Sequence, residues 1–280
     1  MKIGLTLGGG AARGSAHIGV LMELEALGIR PNLITGTSIG GMMGALLAMG
    51  LTVTEITTFF ANLSVSSMFQ LTKRTTPAVT GTQKIEKLLV ETLNGRPTFA
   101  DLQTPLAVVT TDLVTRQAVI LDEGDLISAV LATIAIPLVF PPVERNGHVL
   151  VDGGLLNNTP FDVARARGAT FVIAVDLTNT APYGTPVPPD KSGTGMVERM
   201  LVRTQQGRTW QILSTVTDII TTQSFNARLA VSRPDVLLRP KLGTIGLFDF
   251  HRMEDGIAAG RTAVRDAGDQ LSVIRNYTQN

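Results

Sequence analysis

Three short stretches carry residue types that could do chemistry. The first is Gly36-Thr37-Ser38-Ile39-Gly40, a G-x-S-x-G pentapeptide. A serine on a sharp strand-to-helix turn holds its hydroxyl outward as a nucleophile, and the flanking glycines avoid collisions with the neighbouring strand and helix. The same pentapeptide also fits a plain structural turn. The second is Gly8-Gly9-Gly10-Ala11-Ala12-Arg13-Gly14. Unpaired N–H groups in such a loop hold negative charge, either a phosphate or the oxyanion of an acyl-transfer intermediate. The dinucleotide fingerprint fails, because Gly8, Gly10 and Gly14 are spaced G-x-G-x-x-x-G. No acidic residue lies between Glu25 and Glu55 to take a ribose, and no Gly-Lys-Ser/Thr follows. An oxyanion hole near Ser38 is the better reading. The third is Asp152-Gly153-Gly154, an acid ending a strand where it can face a cleft. Alone it reads as an Asx turn.

A serine nucleophile needs a base. The chain has 3 histidines. His17 lies on an apolar helical stripe and reads as a packed residue. His148 adjoins Asn146-Gly147, a hairpin signal, and reads as exposed. His251 satisfies the chain order Ser…Asp…His of a triad but lacks the usual loop context.

The elements that must carry these residues follow from periodicity. Residues 2–7 read as a strand ending in glycines. His17, Val20, Leu21, Leu24 and Leu27 recur at helical spacing, and Gly28 stops that helix. Residues 32–35 read as a strand and 39–49 as an apolar helix. The alternation argues for a parallel sheet with helices on its faces. Ile85, Leu88, Leu89 and Leu93 form a further stripe behind a capping-box-like Thr80-x-x-Gln83. Residues 106–111, 117–121, 149–151, 171–175 and 236–238 read as strands, 126–134 as a buried helix, and Met253, Ile257, Arg261 and Val264 as a last one. Residues 178–195 are rich in Pro, Gly, Thr and Ser, and read as a lid or as a linker.

Composition narrows the function. Of 280 residues, 44% are hydrophobic, 17% charged and 5% aromatic, with a net charge of +1. That balance offers no footprint for nucleic acid and no platform for stacking bases. With 0 cysteines, disulfides, thiolate catalysis and Cys-ligated metals are excluded. Residues 31–54 hold no charge, yet their glycines and Pro31 favour strand, turn and buried helix over a membrane span. The first residues lack a secretory pattern. The expectation is a cytoplasmic protein that meets a membrane only peripherally.

Taken together and in order, Gly9-Gly10-Ala11-Ala12-Arg13-Gly14, Gly36-Thr37-Ser38-Ile39-Gly40 and Asp152-Gly153-Gly154 resemble the patatin-like phospholipase family, especially its short bacterial members. His17-Ile18-Gly19-Val20-Leu21, residues 135–142 and Asn157-Asn158-x-Pro160 extend the resemblance. It implies a three-layer α/β/α sandwich with a mainly parallel central sheet, here one domain over residues 1–280. It implies a dyad in which Ser38 is nucleophile and Asp152 base. The amides around Gly9, Gly10 and Ala11, with Arg13 nearby, would form the oxyanion hole, while Gly36, Gly40, Gly153 and Gly154 are the elbow and motif glycines. Ala11 departs from the family, which often has glycine there. The implied substrate is a lipid ester, with no metal or organic cofactor. Two rivals stand beside it: a Ser-His-Asp esterase using His251, and a silent lipid- or nucleotide-binding regulator. Residues 196–229 read as a helix on a membrane surface or, preferred, packed on the core.

Overall fold

The computed structural model of the chain describes residues 1–63, 81–178 and 205–278. The Pro/Gly-rich stretch proposed as a lid or linker lies outside these residues, apart from Thr178, and so does Thr80 of the proposed capping box. Eight strands form one sheet among the described residues. They are β1 (Ile3–Leu7), β2 (Leu33–Thr37), β3 (Leu106–Asp112), β4 (Ala118–Leu121), β5 (Val143–Arg145), β6 (His148–Asp152), β7 (Phe171–Val175) and β8 (Val236–Leu238). The order is β5-β6-β3-β2-β1-β7-β8, with β4 also on β3. The pairings from β3 through β2, β1 and β7 to β8 are parallel, whereas β4, β5 and β6 are antiparallel to their neighbours.

The strands β1, β2 and β3 are buried along their whole length. Burial on both faces is why they read as short apolar runs without clean alternation. Alternate residues feed two cores. Ile3, Leu5, Leu7, Ile34, Ile173 and Val175 face the larger one. Leu33, Val172 and Ala174 face a smaller one with Phe161 and Phe225, whose rings meet edge-on at 5.9 Å. Helices on both faces complete three layers.

On the larger face lie α1 (Ser15–Ala26), α2 (Ile39–Ala48), α3 (Val53–Ala61), α4 (Gln83–Thr92), α5 (Leu126–Thr133) and, late in the chain, α8 (Met253–Asp266). On the other face are α6 (Phe161–Ala166) and α7 (Gln205–Val231). A final helix, α9 (Gly268–Thr278), buries Leu271 and Ile274. The charge-free stretch 31–54 resolves into β2, a turn and α2, as its glycines suggested. Helix α3 is started by a full capping box in which Thr52 accepts from the Glu55 amide and Glu55 accepts from the Thr52 amide. Helix α4 begins two residues later than the Thr80 pattern implied, with Thr82 at its N-cap.

Of residues 196–229, those from 205 onward are described and lie in helix α7. It buries Thr221 and Phe225 against the body, while Ile212, Val216, Ile219 and Ile220 remain exposed. Helices α1 and α8 approach backbone to backbone: a Cβ on Gly19 would stand 2.0 Å from the Ile257 carbonyl oxygen, and one on Gly260 2.0 Å from that of Ala16. Among the described residues, no helix is long and apolar enough to cross a membrane.

Candidate active site

The sheet register brings Ser38 and Asp152 together. Strand β4 occupies one edge of β3 along residues 108–111. The opposite edge is shared: β2 pairs with it up to Thr37↔Val109, and β6 takes over from Asp152↔Thr110. Asp152 therefore stands where β2 would have continued had it not turned away at Ser38.

That turn is strained. Ser38 has φ 55° and ψ −128°, which an L residue adopts only when its surroundings impose it. The imposing contacts are main chain. A Cβ on Gly36 would lie 2.5 Å from the Gly40 carbonyl oxygen, and one on Gly40 2.0 Å from that of Leu7. The Ser38 amide donates to Thr133 Oγ1 at 2.9 Å, and that hydroxyl donates to the Val109 carbonyl at 2.6 Å. Ser38 also caps α2, so the positive end of the helix dipole faces its oxygen.

Ser38 Oγ donates to Asp152 Oδ2 at 2.5 Å, and both residues are 6% exposed. The other carboxylate oxygen accepts from the Gly154 amide at 2.7 Å. Burial pushes the Asp152 carboxyl up from 3.8 to about 6, and the donors Ser38 and Gly154 pull it back only in part. A carboxylate that takes a proton near neutrality, in hydrogen-bond contact with a strained hydroxyl, can act as its general base.

The glycine loop runs beside them. Gly8 donates to the Val175 carbonyl at 2.9 Å, Gly9 to that of Asn158 at 3.0 Å, Ala12 to that of Leu247 at 2.9 Å and Arg13 to that of Gly10 at 3.0 Å. The N–H groups of Gly10 and Ala11 find no acceptor among the described residues. Gly9 was expected to supply a donor; its amide is already used, and it serves by close packing, since a Cβ there would stand 3.1 Å from Ser38 Cβ. Arg13 was expected near the hole; its guanidinium instead points to α7, pairing both terminal nitrogens with Asp218 at 2.6 and 2.9 Å and its Nε with the Ile245 carbonyl at 2.9 Å. It anchors the loop from behind, and its charge is neutralised there.

Ala11 sits at φ 48°, in the left-handed region where an alanine costs roughly 1–2 kcal/mol. Ala11→Gly relieves that strain, but loosens the unfolded chain by roughly 0.4–1 kcal/mol. The expected outcome is a melting temperature unchanged or raised by no more than ~3 °C, with the loop intact. A clear fall in melting temperature would mean that the Ala11 methyl packs to more effect than its backbone costs.

The histidines occupy three separate settings. His17 is fully buried, its Nε2–H donating to the Gly8 carbonyl at 2.8 Å. Its Nδ1 has no partner among the described residues, and burial lowers its pKa from 6.5 to about 4. It is packed, as its stripe implied, but only half satisfied. His148 is 40% exposed, with Nδ1 2.9 Å from Asp112 Oδ2. His251 lies in the short turn Phe250–Arg252 ahead of α8. An apolar cavity of about 30 Å³ opens beside Ser38, lined by Ala11, Met42, Leu63, Ile85, Ile136 and Phe250 among others, and His251 is not in its wall. A larger hollow of about 260 Å³ lies at the other end of β1, around Ile3, Arg30 and Ile274.

Sequence reasoning did not find Thr133 or Asp218. The signal for Thr133 was a hydroxyl closing a helix that is apolar apart from Ser128. For Asp218 it was the single charge between Arg208 and Arg228.

With this geometry in view, the likenesses to known proteins are specific. The family model described as "Patatin-like phospholipase" matches residues 5–165. An uncharacterized NTE family protein of Mycobacterium tuberculosis is 31% identical over 273 residues, which is 95% of this chain and 46% of that protein. The neuropathy target esterase of Drosophila melanogaster is 34% identical over 184 residues, 63% of this chain and 13% of its own. The crystal structure of VipD from Legionella pneumophila superposes with a TM-score of 0.56 at 12% identity, covering 95% of this chain and 66% of that one. This last is a likeness of fold. The chain thus spans less than half the length of the curated relatives it matches over nearly its full extent. By the family match over more than half of its residues, the chain belongs to the patatin-like phospholipase family.

Proposed function

We propose that the protein is a serine acyl hydrolase acting on lipid esters, with Ser38 as nucleophile and Asp152 as its base. The observation that carries this reading is the 2.5 Å hydrogen bond from a hydroxyl on strained backbone to a buried carboxylate. Ser38 Oγ adds to the ester carbonyl carbon while its proton passes to Asp152. The carbonyl oxygen becomes an oxyanion, held by the N–H groups of Gly10 and Ala11. The tetrahedral adduct collapses, and the departing alkoxide takes the proton from Asp152. Water then attacks the acyl-enzyme carbonyl while Asp152 accepts its proton; as that adduct collapses, Asp152 returns the proton to Ser38 Oγ and the fatty acid leaves. The apolar walls of the small cavity beside Ser38 suit apolar rather than charged groups next to the ester carbonyl. No step calls for a metal or organic cofactor. Contact with a membrane, in this reading, is peripheral.

A fluorophosphonate tests the proposal, because it labels only an activated serine. Wild type is expected to be labelled and to hydrolyse lipid esters. Ser38→Ala should lose both while remaining folded. His251→Ala should keep turnover within about tenfold, a barrier change under roughly 1.4 kcal/mol. Absence of labelling in wild type would favour the silent regulator. A folded, inactive His251→Ala would replace the dyad by a triad.

A further inference from the structure

The Asn157-Asn158-x-Pro160 stretch, which has no part in the chemistry proposed above, grips the reacting loops from below. The Thr37 hydroxyl donates to the Asn157 carbonyl at 2.8 Å, one residue before Ser38. Asn158 holds the glycine loop at two points: its main-chain carbonyl accepts from the Gly9 amide at 3.0 Å, and its Nδ2 donates to the Gly9 carbonyl at 3.2 Å. Its Oδ1 fills the space between the two loops. A Cβ on Gly9 would lie 2.4 Å from that oxygen, and one on Gly154 3.0 Å from it. The residue is 7% exposed.

The peptides before Gly10 are therefore fully committed. The Gly8 carbonyl takes the His17 proton, the Gly8 amide goes to Val175, and both polar groups of Gly9 go to Asn158. The next two amides, of Gly10 and Ala11, keep their donors. Where those donors point depends on how the Gly9 peptide is held. We infer that Asn158 is a positioning residue. It aims the Gly10 and Ala11 N–H groups at the spot where the substrate oxygen gains its charge, and it ties that aim to the loop bearing Asp152. The inference rests on the reading of Ser38 and Asp152 as the reacting pair. Asparagine suits the task chemically. It offers an N–H to the Gly9 carbonyl, and it stays neutral beside Asp152. Aspartate would set a carboxylate against both. A misplacement of the donors by a fraction of an ångström is felt only when the oxyanion forms.

The test separates that moment from ordinary binding. A long-chain trifluoromethyl ketone adds to the serine: Ser38 Oγ bonds to the carbonyl carbon, the serine proton passes to Asp152, and the ketone oxygen becomes an alkoxide in the hole. The matching secondary alcohol binds in the same cavity and cannot form the adduct. Asn158→Ala is expected to lose about 10²-fold in ketone affinity and in kcat, the scale of one oxyanion donor. Its KM and alcohol affinity should stay within about threefold. Asn158→Asp fills the same space without the N–H at Gly9, and serves if the alanine variant does not fold; the same split is expected. Equal weakening of ketone and alcohol, or of neither, in a folded variant overturns the inference alone. A wild-type protein that forms no ketone adduct overturns the reading of Ser38, and the inference with it.

Discussion

Asp152→Asn is expected to silence ester hydrolysis and, at neutral pH, to make the protein more stable. The two effects share one cause. Burial raises the Asp152 carboxyl from 3.8 to about 6. The folded state thus holds its proton more tightly than the unfolded one. Below about 3.8 both states are protonated, and the group costs nothing. As pH rises from there through about 6, the folded state must carry a buried carboxylate, and stability falls. The gap between 3.8 and about 6 corresponds to about 3 kcal/mol at most. Asparagine keeps the shape and removes the charge, so at pH 7–8 a gain of roughly 1–3 kcal/mol is expected, seen as a melting temperature higher by some ~2–8 °C. The gain should vanish below pH ~4. Turnover should drop by about 10²–10⁴, the range for losing a general base. In wild type, kcat/KM should fall on the acid side with a midpoint near 6, where the base takes its proton. Thermal scans across pH and a pH–rate profile check both halves. An active Asp152→Asn would remove the base; an inactive but destabilised one would mean that the carboxylate is held mainly for structure.

Gly40→Ala is expected to be the most damaging single methyl addition near the site. The new Cβ would stand 2.0 Å from the Leu7 carbonyl oxygen and 2.6 Å from that of Gly8. Neither can retreat. β1 is paired on both edges, and the Gly8 peptide is held by Val175 and His17. The elbow must open or the strand must shift, at a cost above about 4 kcal/mol, among the largest for a point change. Gly44→Ala, one turn further along α2, is the control. Its Cβ would meet side-chain methyl groups of Ile34 and Leu106 at 3.0 and 3.1 Å, which can move, and helix propensity gains up to ~1 kcal/mol. Circular dichroism and thermal melts should find Gly40→Ala unfolded or aggregated, and Gly44→Ala close to wild type. Equal melting temperatures for the two would mean that the elbow is softer than its contacts imply.

Much of this was legible beforehand, and the limits have physical reasons. The parallel strands and α2 announce themselves because a segment buried on all sides must be apolar throughout. The elbow and the glycine loop announce themselves because close backbone approach admits only small residues. Helix α3 was missed although Thr52-x-x-Glu55 marks its start, because a uniformly uncharged stretch hides where one element ends and the next begins. Helix α6 is too short for a helical period to emerge. The partner of Ser38 lies 114 residues away. What joins them is the shared edge of β3, which no local pattern encodes. Arg13 resembles a site residue by position alone; only the packing of α7 reveals that its charge is spent on Asp218, 205 residues on.

The family match ends at residue 165, after Ser38 and Asp152 have both been passed. The supports of the glycine loop do not end there. They come from Asp218, Ile245 and Leu247, and from α8 interlocked with α1. A fragment cut at 165 would keep Ser38, Asp152 and the Asn158 grip on the loop, lose the supports from Val175, Asp218, Ile245 and Leu247, and strip β1 of its β7 edge. For anyone grafting this site onto another carrier, the transplantable unit is consequently set by mechanical bracing and reaches at least to Gly260, where α8 meets α1. Any shortened form of this chain must therefore keep the stretch around Asp218, because without it the Arg13 guanidinium is left buried and unpaired behind the glycine loop.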